Sequence, residues 1–128
     1  MQFTFPKKEK LKSKKLIDRL FAKGKPISKY PIKLIYLETD LPEDVTVQAG
    51  VAVPKKNFKS AVKRNRIKRL LRESYRLHKH TVFNNSESSF AFLFLYLGKE
   101  MPSYGEVEKA MKELLRKFFE TEVVKNKE

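Results

Sequence analysis

The stretch that most constrains the fold of this chain is "FAFLFLYL", at residues 90–97. Its eight residues are all apolar, with none of the apolar–polar alternation of a strand that has one face in water. A membrane-spanning helix needs about 20 apolar residues, so the run is too short to cross a bilayer. It therefore predicts a central β-strand that other elements cover on both faces.

Three further stretches have the character of strands. "PIKLIYLE" (31–38) is rich in residues that favour strands, and "LPED" after it reads as a turn. "VTVQAGVAV" (45–53) places valine and alanine at every second position, which is the period of a half-buried strand. The extended stretch between Pro26 and Pro31 has room for a short strand.

Three other stretches have helical periodicity. Ser13 is a suitable N-cap for the first helix, and Gly24 suits the C′ position at its end. Ser103 and Glu106 have the spacing of a capping box before the last helix. The predicted helices run from about Lys14 to Lys23, from near Ser60 through a basic stretch, and from about Tyr104 to Phe119.

The order of these elements is helix, two or three strands, helix, strand, helix. At 128 residues, the chain is long enough for one domain with a real core. We therefore predict a single α+β domain over residues 1–128: an α/β sandwich with a mixed sheet of about four strands and helices packed on it. A basic N-terminal arm covers about residues 1–12, and we expect a frayed tail at about 120–128.

Positive charge is concentrated in two parts of the chain. The net charge is +14, and residues 54–80 hold eleven Lys or Arg against Glu73 alone. Residues 1–30 hold ten against two acids. If the two segments meet, they form a patch that attracts a polyanion. Neither resembles a membrane-binding amphipathic helix, so nucleic acid is the favoured partner and no membrane is expected. No signal peptide is apparent, and the default location is cytoplasmic.

The basic stretch has two faces when it is drawn as a helix. Ile67, Leu70, Leu71 and Ser74 form one stripe that should be buried. Residues on the opposite side are polar or basic, and Arg64 and Lys68 extend that side: Asn65, Arg66, Arg69, Arg72 and Arg76. Arginine forks suit phosphate oxygens, and like charges this close repel unless a polyanion offsets the cost. The competing interpretation is a merely solvated helix face.

No side chains mark a catalytic site on the protein. We expect His78 and His80 to be exposed at the end of the basic helix rather than to bind metal. No nucleophile has a positioned base. Aromatic residues that could stack on unpaired bases, if they are not core, are Phe3, Phe5, Phe21, Tyr30 and Tyr36.

The segment "RNRIKRLLRE" (64–73), preceded by "GVAVPKKNFKSAVK", resembles the signature of the bacterial ribonuclease P protein family. The resemblance extends to "LKSKKLIDRLFAKG", to "IKLIYLE" and to a closing amphipathic helix, so it covers most of the chain. It implies a fold like the second domain of a small-subunit ribosomal protein, with a left-handed β-α-β crossover. The general rule for crossovers predicts the opposite hand.

The resemblance also implies a function: the protein subunit of a ribonucleoprotein endoribonuclease that removes the 5′ leader from precursor tRNA. The catalytic RNA subunit would perform the hydrolysis with divalent metal (Mg²⁺), and no protein partner would be required. Residues that would bind this RNA are Lys55, Lys56, Lys63, Arg64, Asn65, Arg66, Lys68, Arg69, Arg72 and Arg76. Residues that would line a cleft for the single-stranded leader are Ile17, Phe21, Leu34 and Tyr36.

Two other functions stay open from the residues. One is a non-catalytic RNA-binding ribosomal or assembly protein of the same fold. The other is a protein-only nuclease, against which the lack of an acidic metal-binding cluster counts.

Overall fold

The computed structural model describes residues 5–42, 45–80 and 88–124. The elements in chain order are a 3-10 turn at Lys7–Glu9, α1 at Lys14–Lys23, β1 at Lys25–Lys29, β2 at Ile32–Glu38, β3 at Val47–Ala52, α2 at Ala61–His78, β4 at Phe90–Tyr96, α3 at Tyr104–Phe118 and a π-helix at Phe119–Val124. The predicted helices and strands are confirmed to within about two residues. The chain stays helical to Val124, where the sequence predicted fraying from about residue 120. Residues 125–128 of that tail, like residues 1–4 of the arm, lie outside the described ranges.

The four strands form one mixed sheet in the order β1-β2-β4-β3. The first three strands in this order pair antiparallel, whereas β3 and β4 are parallel and are connected through α2. The predicted mixed sheet of about four strands is therefore confirmed, with β4 as a central strand. The handedness of the β3-α2-β4 crossover stays a prediction.

Each face of the sheet is covered by different helices, because successive side chains of a strand point to opposite sides. Phe90, Phe92 and Phe94 of β4 pack on one side with residues of α2 and α3, which we call the α2/α3 face. Ala91 and Leu93 pack on the other side with α1, which we call the α1 face. This explains why β4 needs apolar residues at every position.

Serine side chains cap α1, α2 and α3. The hydroxyls of Ser13, Ser60 and Ser103 accept hydrogen bonds from backbone N–H groups in the first turns of α1, α2 and α3. Glu106 completes the predicted capping box. Gly24 lies at the C-cap of α1 rather than at the predicted C′ position, with an ordinary φ of −69°. No helix in the described ranges is long and apolar enough to cross a bilayer.

The segment Phe5–Lys12, which we call the N-terminal arm, packs along β3 and against the end of α2. Lys10 bridges to Ala49 of β3 in a parallel arrangement. Glu9 accepts a hydrogen bond of 2.6 Å from the ammonium of Lys79, which is buried. The Phe5 ring lies edge-on to Tyr75, with 5.5 Å between centroids. The arm therefore fixes the end of the basic helix by a buried ion pair and a ring contact.

The prediction that the two histidines after the basic helix are exposed is wrong. Both His78 and His80 are only half-exposed. The Nε2 atom of His78 lies 3.0 Å from a carboxylate oxygen of Glu108 on α3. The α2 helix packs against α3 closely enough to bring these side chains together, which the sequence spacing could not show.

Candidate nucleic-acid interface

The inner side of α2 is defined by the residues that it buries. Ile67, Leu71 and Ser74 are fully buried, as the stripe predicted, and Tyr75 joins them. The hydroxyl of Ser74 donates to the carbonyl of Leu71 at 3.1 Å, so its burial costs no unpaired polar group. Leu70 is only half-buried. This burial fixes the rotation of α2 and turns its basic side outward.

The outward side of α2 carries charge that the protein does not neutralise. The residues exposed there are Lys63, Asn65, Arg66, Arg69 and Arg72. Within the described ranges, none of these five side chains makes a hydrogen bond or ion pair with the protein. Lys68 is half-buried beside them, and Lys55 and Lys56 are exposed in the turn that leads from β3 to α2. These eight residues therefore lie on α2 and in the turn that precedes it.

Two arginines of the predicted binding set already contact protein groups. The Nη1 atom of Arg64 donates to the carbonyls of Phe58 and Lys59 at 2.8 and 2.9 Å. The guanidinium of Arg76 donates to both carboxylate oxygens of Glu73. These hydrogen bonds hold the pKa of Glu73 below its usual range and raise that of Arg76. Arg64 and Arg76 therefore have fewer donors to offer a partner than their exposed neighbours.

The four residues predicted to line one leader cleft are separated by the sheet. Leu34 and Tyr36 are buried on the α2/α3 face. The Tyr36 hydroxyl donates to Glu122 at 2.7 Å, and its ring packs edge-on to Phe118. Ile17 packs with the cluster on the opposite, α1 face. A single cleft built from these four side chains is therefore wrong, and Leu34 and Tyr36 belong to the core.

Part of the α1 face is left open beside α1. Lys33 of β2, Leu95 of β4 and Ala52 of β3 are paired in register across three strands, so their side chains share one face. All three are half-buried, whereas the next row along, from Ile35 to Leu93, is closed. We call the three residues the open row. It ends at Ala52, where the chain enters the basic turn before α2.

Exposed and half-exposed side chains of α1 lie on the same side as the open row. Ile17 is half-buried, and Phe21, one helical turn later, has 60% of its surface exposed. Residues four apart lie on one side of a helix, so the two side chains form a small apolar strip. A role of Ile17 and Phe21 in binding the leader stays a prediction.

The family resemblance assigned Leu34 and Tyr36 of β2 to the cleft, whereas the open row contains Lys33 from the other side of that strand. "IKLIYLE" has apolar residues at both its odd-numbered and its even-numbered positions, so hydrophobicity alone does not say which side of the strand faces which helix. One signal was present: Lys33 is the charged residue in the interior of the strand, whereas Glu38 is its last residue, and an interior charge marks the less completely covered side. Lys33, Ile35 and Leu37 share that side, and Leu34 and Tyr36 do not.

The chemistry that this surface can perform is binding. Guanidinium and ammonium groups without protein partners can neutralise phosphates, and Asn65 can donate to or accept from a base edge or ribose hydroxyl. Within the described ranges, no group of three or more His, Asp or Glu side chains is placed to hold a metal ion.

Comparisons with known proteins agree with this geometry. A family model described as Ribonuclease P matches residues 5–118. The ribonuclease P protein component of Porphyromonas gingivalis is 35% identical over 116 residues, which cover 88% of this chain and 85% of that protein. That of Dictyoglomus thermophilum is 43% identical over 77 residues, 60% of this chain and 61% of that protein.

Solved structures show the same fold at low identity. The RNase P protein of Staphylococcus aureus aligns with a TM-score of 0.69 at 19% identity, over 90% of this chain and 96% of that one. The protein from Thermotoga maritima aligns with a TM-score of 0.69 at 20% identity, over 85% and 96%. With a family model that spans most of its length and relatives above 30% identity, the chain belongs to the ribonuclease P protein family.

Proposed function

We propose that this protein is the protein subunit of the ribonucleoprotein endoribonuclease that removes the 5′ leader from precursor tRNA. Relatives named "Ribonuclease P protein component" support the assignment to such a ribonucleoprotein. The RNA subunit carries out the hydrolysis, and the protein binds that RNA and the leader. It acts in the cytoplasm without another protein partner.

The observation that carries the proposal is the unneutralised outer side of α2. Five exposed side chains, four of them cationic, project from a helix whose inner side is locked into the core. Arg66, Arg69 and Arg72 would bind backbone phosphates of the RNA subunit through their planar forks. Point charges would be added by Lys55, Lys56, Lys63 and Lys68. Arg64 and Arg76 would contribute the donors that are not used in their contacts with the protein. Asn65 would contact a base or a ribose.

The leader is proposed to bind on the α1 face. Phe21 and Ile17 offer an apolar strip for unpaired bases, and Lys33 of the open row offers a charge for a phosphate. The open row runs into the Lys55–Lys56 turn, so a strand lying there stays in contact with the basic surface. This arrangement replaces Leu34 and Tyr36, which are buried on the other face.

Divalent metal, Mg²⁺ in our proposal, supplies activation of the attacking water and stabilisation of the leaving oxygen. The described residues of the protein offer no set of ligands for it. The protein's own residues bind and orient the RNA, because cations on α2 allow polyanionic strands to approach one another.

The salt dependence of binding tests the role of α2. Each phosphate contact that is lost should reduce the slope of log K against log salt by about 0.7–0.9. We expect Arg69→Ala to reduce the slope for the RNA subunit by this amount. Arg116→Ala is the matched control, because Arg116 of α3 is already paired with Glu113 and Glu120. Equal slopes for Arg69→Ala and the unmodified protein would contradict the proposed interface.

The RNA that copurifies with the protein tests the identity of the partner. Recovery of one structured RNA together with precursor tRNA is the expected result. Recovery of ribosomal RNA alone would favour the ribosomal or assembly protein instead.

A substitution on α1 tests the leader site. Phe21→Leu removes the aromatic face while retaining most of the volume, and Phe21 is exposed, so the fold should be preserved. Binding of leader-bearing precursor tRNA by the assembled enzyme should weaken, whereas binding of mature tRNA should not change. Equal losses for both substrates would remove Phe21 from the leader site.

A further inference from the structure

A groove lies beside the β1–β2 turn. It has a volume of about 740 Å³ and runs between that turn, the loop that follows β4 and the first turns of α3. Tyr30 and Pro31 form one wall, and Gly98 to Pro102 form the other. The proposed function uses none of these residues.

Internal hydrogen bonds fix the walls of this groove. The backbone N–H of Leu97 donates to the carbonyl of Pro31 at 2.7 Å, which ties the β4 loop to the turn. The buried Tyr96 hydroxyl donates to the carbonyl of Glu100 at 2.8 Å. A Cβ atom at Gly98 would lie 2.5 Å from that hydroxyl, so only glycine allows the loop to fold so closely over Tyr96. The groove is therefore preformed.

The lining of the groove combines an aromatic ring with apolar neighbours. Tyr30 has 73% of its surface exposed. Leu97 and Met101 are also exposed, at 38% and 37%. Among the described residues, five large apolar side chains are exposed, and three of them line this groove. An exposed ring in such surroundings is a stacking platform for a planar partner.

The charges around the groove favour an anionic partner. Lys29, Lys99 and Lys109 line it. Glu106 also lines it, but its carboxylate accepts hydrogen bonds from the backbone and hydroxyl of Ser103 in the capping box. Glu100 is the other acid in the lining. The lining therefore holds three ammonium groups and two carboxylates, which leaves a net charge of +1.

This groove is continuous with the basic surface of α2. A smaller depression beside it is lined by Lys59, Ser60 and Lys63 at the start of α2. The two share Lys99, Glu100 and Met101 as a common wall. An RNA strand held at Lys63 therefore has a basic path past Lys99 to Tyr30.

We propose that this groove binds a single-stranded segment of RNA, with a base stacked on Tyr30 and phosphates on Lys99 and Lys109. The proposal rests on the proposed function, because the groove continues the surface assigned to RNA. Single strands fit better than duplexes, since a base within a duplex already has both faces covered by its neighbours. The segment belongs either to the RNA subunit or to the precursor tRNA.

The absence of tryptophan from the sequence provides a direct probe. Tyr30→Trp places a single indole in the groove, and stacking of a base on it should quench its fluorescence. The first titrant is a single-stranded RNA of about ten nucleotides, within the site sizes typical of stacking surfaces. We expect saturable quenching by this strand and little by the same strand annealed to its complement. Equal quenching by the duplex, or none by either, would overturn the proposal.

Three further titrations of the same variant identify the source of the strand. Quenching on assembly with the RNA subunit assigns the segment to that subunit. Quenching that appears only after leader-bearing precursor tRNA is added assigns it to the leader, and quenching with mature tRNA as well assigns it to the tRNA body. A signal that does not change in any of these assemblies overturns the proposal, while the salt dependence of Arg69→Ala still reports separately on α2.

Matched substitutions separate stacking from charge. Tyr30→Ala should weaken binding of the single strand on the order of tenfold, and Tyr30→Phe, which retains the ring, should restore most of it. Lys109→Ala should reduce the salt slope, whereas Lys112→Ala, one helical turn further along α3 and outside the groove, should not. Equal effects of Tyr30→Ala and Tyr30→Phe would exclude stacking.

Discussion

Arg64 differs from the other arginines of α2 in the direction of its side chain. Its guanidinium turns back and donates to two carbonyls of the turn that precedes the helix, at Phe58 and Lys59. Phe58 is buried against Tyr96, so these bonds tie the basic turn to the core. The "RNR" motif read from the sequence treats Arg64 and Arg66 alike, because helical periodicity describes directions within the helix and not contacts with the turn before it.

We therefore expect Arg64 and Arg66 to differ in their effects on stability. Arg64→Ala removes two charge-assisted hydrogen bonds and should lower the free energy of unfolding by about 1.5–3 kcal/mol. Arg66→Ala, at an exposed position without a protein contact, should change it by no more than about 0.5 kcal/mol. Urea denaturation of the two variants measures both values. Similar stabilities would mean that the contacts of Arg64 contribute nothing net.

At the scale of elements, the sequence predicted helices better than it predicted the sides of strands. Capping serines and apolar stripes gave α1 and α3 within one residue of their observed bounds, because both signals are local. No local signal determines which side of β2 faces α1. It depends on α2 and α3 covering one face and leaving the other to α1, and an apolar strand is compatible with either choice. The cleft assignment of Leu34 and Tyr36 came from the family resemblance, and the apolar pattern of β2 gave no reason to prefer Lys33.

Gly24, at the junction of α1 and β1, is required by close approach. A Cβ atom there would lie 2.4 Å from the carbonyl oxygen of Leu20 and 2.5 Å from a methyl carbon of Ile35. Gly24→Ala should therefore destabilise the protein by about 1–3 kcal/mol, the usual cost of overpacking. Gly105→Ala is the control: its nearest neighbour would be 3.9 Å away, and alanine in α3 should be neutral or stabilise by up to about 1 kcal/mol. Thermal unfolding of both variants checks the pair, and a stable Gly24→Ala protein would contradict the close contact.

At the scale of the whole molecule, strand order was beyond the reach of periodicity. The sequence indicated a strand–helix–strand unit, but not that β4 would insert between β2 and β3. That insertion is what the unbroken apolar character of β4 requires, because a strand at the edge would leave its phenylalanines less covered. The apolar sequence of β4 therefore predicted that both of its faces are buried. It did not predict that β2 and β3 are the neighbouring strands.

Tyrosines distributed through the core should make the whole fold sensitive to alkali. Burial, with a hydrogen bond to Glu122, raises the pKa of Tyr36, and burial raises that of Tyr75. Burial also raises the pKa of Tyr96 to about 12. Above pH about 10, the ordinary phenol value, tyrosines ionise in the unfolded chain before they ionise in the folded one. The stability they contribute is complete below that pH and is lost as pH rises through the folded pKa.

Comparison of Tyr96→Phe with the unmodified protein isolates this effect from the titration of lysines. Between pH 10 and 12, the free energy of unfolding should fall less steeply with pH for Tyr96→Phe than for the unmodified protein. The two slopes should differ by at most the contribution of one ionising group. Denaturant unfolding at several pH values measures the two slopes. Parallel curves would show that Tyr96 ionises equally in both states.

The N-terminal arm also affects whether copies of the protein associate with one another. Strands at the edges of a sheet offer unpaired backbone groups to other chains, and proteins protect them with charge, proline or a covering segment. The edge at β1 carries Lys25, Pro26 and Lys29, whereas the edge at β3 is covered where Leu11 donates to the carbonyl of Ala49. A chain shortened to begin at Ser13 would uncover β3 and leave Lys79 without its carboxylate partner on the arm. Such a chain should form edge-to-edge aggregates, visible as concentration-dependent light scattering, while the unshortened chain remains dispersed.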